Sequence, residues 1–219
     1  GFLGGCTETF HGVRAPQDDG AEAPGGKGSS AKARDDQDAG ALHPLPDPIA
    51  SYTLKAKLDP TSHVIQGSGT LTWKNTSRVA VSDIYLHLYL NAFKNESSVF
   101  LREPVGNFRG GGVVTSWGYI DVKKLTWARA GVDEDLLPRL DTHAVDATDE
   151  TDARVTLPRE VASGDTLELR MEWEAKLPSV VERTGFDGSF HMVGQWFPKI
   201  AVLEESGTWV HFPFHHLSE

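Results

Sequence analysis

Leu167-Glu168-Leu169-Arg170-Met171-Glu172-Trp173-Glu174-Ala175 alternates without a break between apolar and charged side chains. A helix, turning every 3.6 residues, would scatter those charges around its surface. A strand sends successive side chains to opposite faces. The segment therefore predicts a half-buried β-strand with Leu167, Leu169, Met171, Trp173 and Ala175 inward. Glu172 and Glu174, two apart on the outer face, read as solvated surface rather than as an acid–base pair.

The same period of two recurs upstream. Tyr52, Leu54, Ala56 and Leu58 share one face of a first strand, and Asp59-Pro60-Thr61-Ser62 supplies the turn after it. Val64–Trp73 forms a second strand, in which Gly67 and Gly69 indicate a bulge or a close backbone approach. Asp83–Leu90 reads as a third, with Ile84, Leu86, Leu88 and Leu90 inward and His87 on the polar side. Tyr119–Val122, Lys124–Trp127 and Arg154–Leu157 are shorter candidates, and Asn95–Glu103 suits about two helical turns. Strands at this spacing with Gly, Pro and Asp turns predict an all-β sandwich or saddle of mostly antiparallel strands.

Ahead of that domain the chemistry changes. Between Ala15 and Gly40 there is no Leu, Ile, Val or aromatic residue. Such a tract buries too little apolar surface to offset its ordering entropy. A disordered tether is expected over residues 1–45 and the β-domain over 46–219. The chain holds one cysteine, Cys6, so no intrachain disulfide can form. Leu3-Gly4-Gly5-Cys6 resembles a bacterial lipobox, which makes Cys6 a lipid anchor and places the chain in a bacterial cell envelope, facing periplasm or exterior. Gly1 in place of Met, and the abrupt close on His215-His216-Leu217-Ser218-Glu219, suggest that both ends are cut. No run approaches the roughly 18 apolar residues of a membrane span, so membrane attachment would be through the lipid alone. A formal net charge of −10 argues against a nucleic-acid partner.

No complete catalytic site is legible. None of the nine histidines precedes a glutamate, so the His-Glu-x-x-His zinc motif is missing. His211, His215 and His216 cluster with Glu219, but Pro213 opposes the helix that would align them as ligands. Polar histidines on a loop or sheet rim are the plainer reading. The acidic stretches Asp133–Asp135 and Asp146–Asp152 lack the spacing of a calcium loop. Arg109-Gly110-Gly111-Gly112 lacks the Gly-Lys-Ser/Thr ending of a phosphate loop and reads as a surface loop.

Several phrases in order resemble one family. Trp73-Lys74-Asn75-Thr76-Ser77, then Ile84-Tyr85-Leu86-His87-Leu88-Tyr89-Leu90-Asn91-Ala92-Phe93, resembles the N-terminal domain of the alanyl aminopeptidases, which are gluzincin zinc metallopeptidases. Val155-Thr156-Leu157-Pro158 and Ser163–Leu169 are similar to that domain's closing strands. Gln195-Trp196-Phe197-Pro198-Lys199-Ile200-Ala201-Val202, with Trp209 and His215–Glu219, resembles a bacterial branch. The resemblance covers residues 50–219. It implies a non-catalytic β-domain packed on a thermolysin-like catalytic domain that holds zinc and the general base and lies outside this chain. Its partners would be that domain and a peptide substrate, with no metal or cofactor in this chain. In the family, a Gln about nine residues before the Phe-Pro step binds the substrate's amino group. Here Ser189 holds that position, and Gln195, three before Pro198, is the available substrate contact. A lipid-anchored β-sandwich that binds a ligand without chemistry is the alternative.

Overall fold

The computed structural model describes residues 8–9, 47–103, 114–129, 131–179 and 184–215. Cys6, the Ala15–Gly40 tract, Arg109–Gly112, His216 and Glu219 lie outside the described residues. All elements below belong to the unit formed by Gly1–Phe10 and Ile49–Glu219.

The first strands are β1 (Glu8–Thr9), β2 (Ala50–Asp59), β3 (Val64–Lys74) and β4 (Val81–His87). A 3-10 turn over Tyr89–Phe93 and the single-turn helix α1 (Val99–Arg102) follow. Next come β5 (Tyr119–Trp127), β6 (Glu134–Asp135), β7 (Leu140–Asp141), β8 (Asp152–Val161) and β9 (Thr166–Lys176). The last are β10 (Gly185–Asp187), β11 (Phe190–Met192), β12 (Lys199–Ile200), β13 (Val202–Leu203) and β14 (Trp209–Val210). One sheet runs β1-β2-β3-β9-β5-β6, a second β12-β4-β8-β7, and β10-β11 and β13-β14 are separate hairpins. The inner faces of both sheets contribute to one apolar core. The molecule is an all-β sandwich of antiparallel strands.

The alternating segment is β9, a central strand flanked by β3 and β5. Leu167, Leu169, Met171, Trp173 and Ala175 are buried, together with Leu71, Trp73, Leu86 and Leu88. Outside, Glu174 accepts from Tyr119 Oη and Gln66 Nε2, each at 2.6 Å, and Glu172 lies 3.5 Å from Lys124. Gly67 stands opposite Trp173, and a Cβ there would sit 2.1 Å from the indole Cε2. A Cβ at Gly69 would fall 2.5 Å from the Thr53 carbonyl oxygen. The paired glycines thus mark close approach, since β3 keeps an unbroken register with both neighbours.

Four sequence expectations need correction. Tyr119–Val122 and Lys124–Trp127 are one strand, interrupted by a register shift at Lys123 that reverses which residues face inward. The third strand stops at His87, because Leu88 leaves extended geometry (φ −109°, ψ 49°) to enter the 3-10 turn. Leu88 and Leu90 are nonetheless buried, so inward pattern outlasts strand geometry. Within Asn95–Glu103 the helix is confined to Val99–Arg102, opened by Ser98 Oγ accepting from Leu101 N; Asn95–Ser98 turn instead. Arg154–Leu157 extends to the whole of β8, and Pro158 sits where the β4–β8 register shifts, so no ladder bond is lost to it.

Truncating Trp173 to Ala is expected to cost about 3–5 kcal/mol, whereas Glu172→Ala should stay within about 0.5 kcal/mol. Gly67→Ala should cost about 1–3 kcal/mol by overpacking the indole. Urea melts of the three variants check this; equal losses at Glu172 and Trp173 would refute the strand's facing.

Candidate functional site

The segment Gln195–Ala201 joins the two sheets. Trp196 O accepts from the buried Trp173 Nε1 at 2.8 Å, and Ile200 N donates to Tyr52 Oη at 2.8 Å, both in the larger sheet. Lys199 and Ile200 then pair with His87 and Leu86 of the smaller one. Burial pushes the Tyr52 phenol up to about 12, with the Ile200 bond pulling the other way. Gln195 adopts a left-handed backbone (φ 54°), a conformation a non-glycine residue holds only when its surroundings over-determine it. Its Oε1 accepts from Lys199 Nζ, and that ammonium lies 5.8 Å from the Tyr89 ring and 5.9 Å from Phe197. Gln195 is therefore a side chain fixed at both ends.

The register places Lys199, His87 and Asp152 in one row across the outer face of the smaller sheet. The C-terminal stretch covers this row. His211 Nδ1 donates to Asp152 Oδ2 at 2.7 Å, and its ring stacks on Tyr85 at 3.7 Å and 16°. Phe214 N donates to Thr151 Oγ1 at 2.8 Å. Asp152 is only 1% exposed. Burial raises its carboxyl above the usual range, while the His211 bond lowers it. His87 Nδ1, Asp152 Oδ1 and Arg154 Nε are buried without a hydrogen-bond partner. Such groups are costly, about 1–3 kcal/mol each, and these three stand on adjoining positions. The arrangement holds a carboxylate–imidazole pair whose imidazole is stacked on a tyrosine ring.

The sequence places His87 on a solvated face and makes Asp146–Asp152 an acidic loop. Both are revised. His87 is half-buried between Lys199 of β12 and Asp152 of β8, with its ring 4.4 Å from that of Tyr89. Asp149 and Asp152 are buried; Asp149 accepts from Val99 N at 2.8 Å and from Thr151 N at 2.8 Å, tying α1 to the start of β8. Asp146 is half-buried and accepts from Thr148 N at 2.7 Å. His211, singled out with His215, His216 and Glu219, pairs with Asp152 instead. Among the described residues no group of three or more His, Cys, Asp or Glu side chains is placed to hold a metal ion. Lys199, Asp152 and Arg154 carried no sequence signal as a group, because only strand pairing makes them neighbours.

The row has a pH signature. Burial, assisted by repulsion from Lys199 and His211, holds His87 down at about 4. The unfolded chain takes up that proton near pH 6.5. Between these values the unfolded state binds more protons, so this contribution is complete above about pH 6.5 and lost as pH falls toward 4. Asp152 works in the opposite sense, its raised carboxyl taking a proton first in the folded state. His87→Gln should flatten the loss of stability between pH 7 and 4.5 by on the order of 2 kcal/mol. Urea melts at the two pH values measure it, and an unchanged slope would reject His87 as the titrating group.

No family model matches the chain, and no curated protein matches it. Among solved structures the chain is similar to the crystal structure of a family IIIa CBD from Clostridium cellulolyticum. The two share 12% sequence identity with a TM-score of 0.31, over 76% of this chain and 97% of that one.

Proposed function

We propose that this chain is the non-catalytic, substrate-shaping β-domain of an extracytoplasmic zinc metallopeptidase of the aminopeptidase type. Gln195 is its contact for the free amino group of a peptide, and Cys6 its lipid anchor in a bacterial envelope. The reading rests on the ordered resemblance of residues 50–219 to the alanyl aminopeptidases. The observation that carries it is the immobilised Gln195, on a left-handed backbone and bonded to Lys199, beside a tryptophan tied to the core. A recognition residue loses least entropy when its rotamer is locked beforehand. In this reading zinc and the general base belong to a separate catalytic domain, as the resemblance implies, and no chemical step is assigned to this chain. A lipid-anchored β-sandwich binding module without chemistry is the other reading.

The gene product at its natural length should release product from aminoacyl anilides in a chelator-sensitive manner. Gln195→Ala should lower kcat/KM by about 10–100-fold, the worth of a hydrogen bond to a charged group, and should leave the melting temperature unchanged. Absence of hydrolysis by the natural-length protein rejects the peptidase reading in favour of the binding module. Cys6→Ser, expressed with its signal sequence, should move the protein from the detergent phase to the aqueous one; unchanged partitioning rejects the anchor.

A further inference from the structure

His63 and His191 are 128 positions apart in the chain, yet His63 Nδ1 lies 3.0 Å from His191 Nε2. Each ring is fixed before any ligand arrives. His63 ends the β2–β3 turn with a left-handed backbone (φ 59°), and its carbonyl accepts from Leu177 N at 3.0 Å. Its ring lies flat on Phe186, 3.4 Å away at 8°. His191 sits on β11 opposite Phe186 of β10, and its Nδ1 is 3.1 Å from the Ser189 carbonyl oxygen. A carbonyl only accepts, so Nδ1 carries the hydrogen and Nε2 presents a lone pair to His63. A backbone carbonyl holding the distal N–H is how proteins orient a metal-binding imidazole.

We infer that His63 Nδ1 and His191 Nε2 form a two-imidazole site for one divalent late transition metal, with water completing the coordination. Without metal, the contact is a hydrogen bond donated by His63 Nδ1 to His191 Nε2. Metal entry needs the His63 proton on Nε2 of the same ring and a turn of the rings that brings both lone pairs onto the ion rather than onto each other. Two nitrogens 3.0 Å apart subtend about 95° at an ion about 2.0–2.1 Å from each. That is close to the right angle between neighbouring positions of a tetragonal site, which Ni²⁺ and Cu²⁺ prefer, rather than the tetrahedral angle of zinc. The metal clamps the β2–β3 turn of the large sheet to the β10–β11 hairpin, which otherwise has its own separate pairing.

The test uses the tag-free chain, stripped with chelator and titrated with Ni²⁺ alone in a buffer that does not bind it. Calorimetry should show one strong equivalent per chain, and excess Ni²⁺ should raise the melting temperature by about 3 °C or more. His191→Gln leaves the turn untouched, and His63→Asn retains a residue that tolerates the left-handed backbone. Each should weaken Ni²⁺ at least about tenfold while the metal-free melting temperature confirms folding. The His211→Ala, His215→Ala, His216→Ala triple variant should keep the strong equivalent. Undiminished binding in His191→Gln, or loss of the equivalent in the triple variant, would overturn the site.

Discussion

The packing of Trp173 against Gly67 is the constraint on which most of the domain depends. The indole occupies the space a side chain at Gly67 would need, which lets β3 and β9 run in register for their whole length. A buried indole also carries one N–H that cannot be left unmet without cost. It is answered by the Trp196 carbonyl, and this pins the segment that carries Gln195. One side chain thus serves the core by its area and the candidate site by its polar atom.

That coupling explains which parts of the fold could be read in the sequence. β9 was plain because one face is core and the other water, so the pattern is strict. β5 read as two pieces because its extra residue, Lys123, shifts the inward set from even to odd positions. The Tyr89–Phe93 turn was hidden because burial of Leu88 and Leu90 continues the strand's rhythm after strand geometry has ended. Hydrophobic pattern reports burial, and burial is only a proxy for backbone conformation.

Site residues were less legible for a related reason. Gln195 was visible through the phrase around it, whereas the row Lys199, His87 and Asp152 exists only through two strand pairings. Nothing local distinguishes Asp152 from the other carboxylates of its loop. Its burial depends on β8 beginning there and on the covering stretch from His211. The His63–His191 contact is equally nonlocal, since a turn near the start of the domain meets a hairpin near its end.

The chain from Gly185 onward has little core of its own, and it supplies His191, Gln195, Lys199 and His211. Its order is borrowed from Trp173, Tyr52, Tyr85 and Thr151 through single hydrogen bonds and ring contacts. Segments held by a few such contacts open at lower free energy than the strands beneath them. Side chains mounted there can still be precise, because each anchor lies within a few residues of the group it positions. Precision at low local stability suits a surface that accepts a partner or ligand, and the β10–β11 hairpin, with Phe190 61% exposed and its ring contacts to His63, is built in this way.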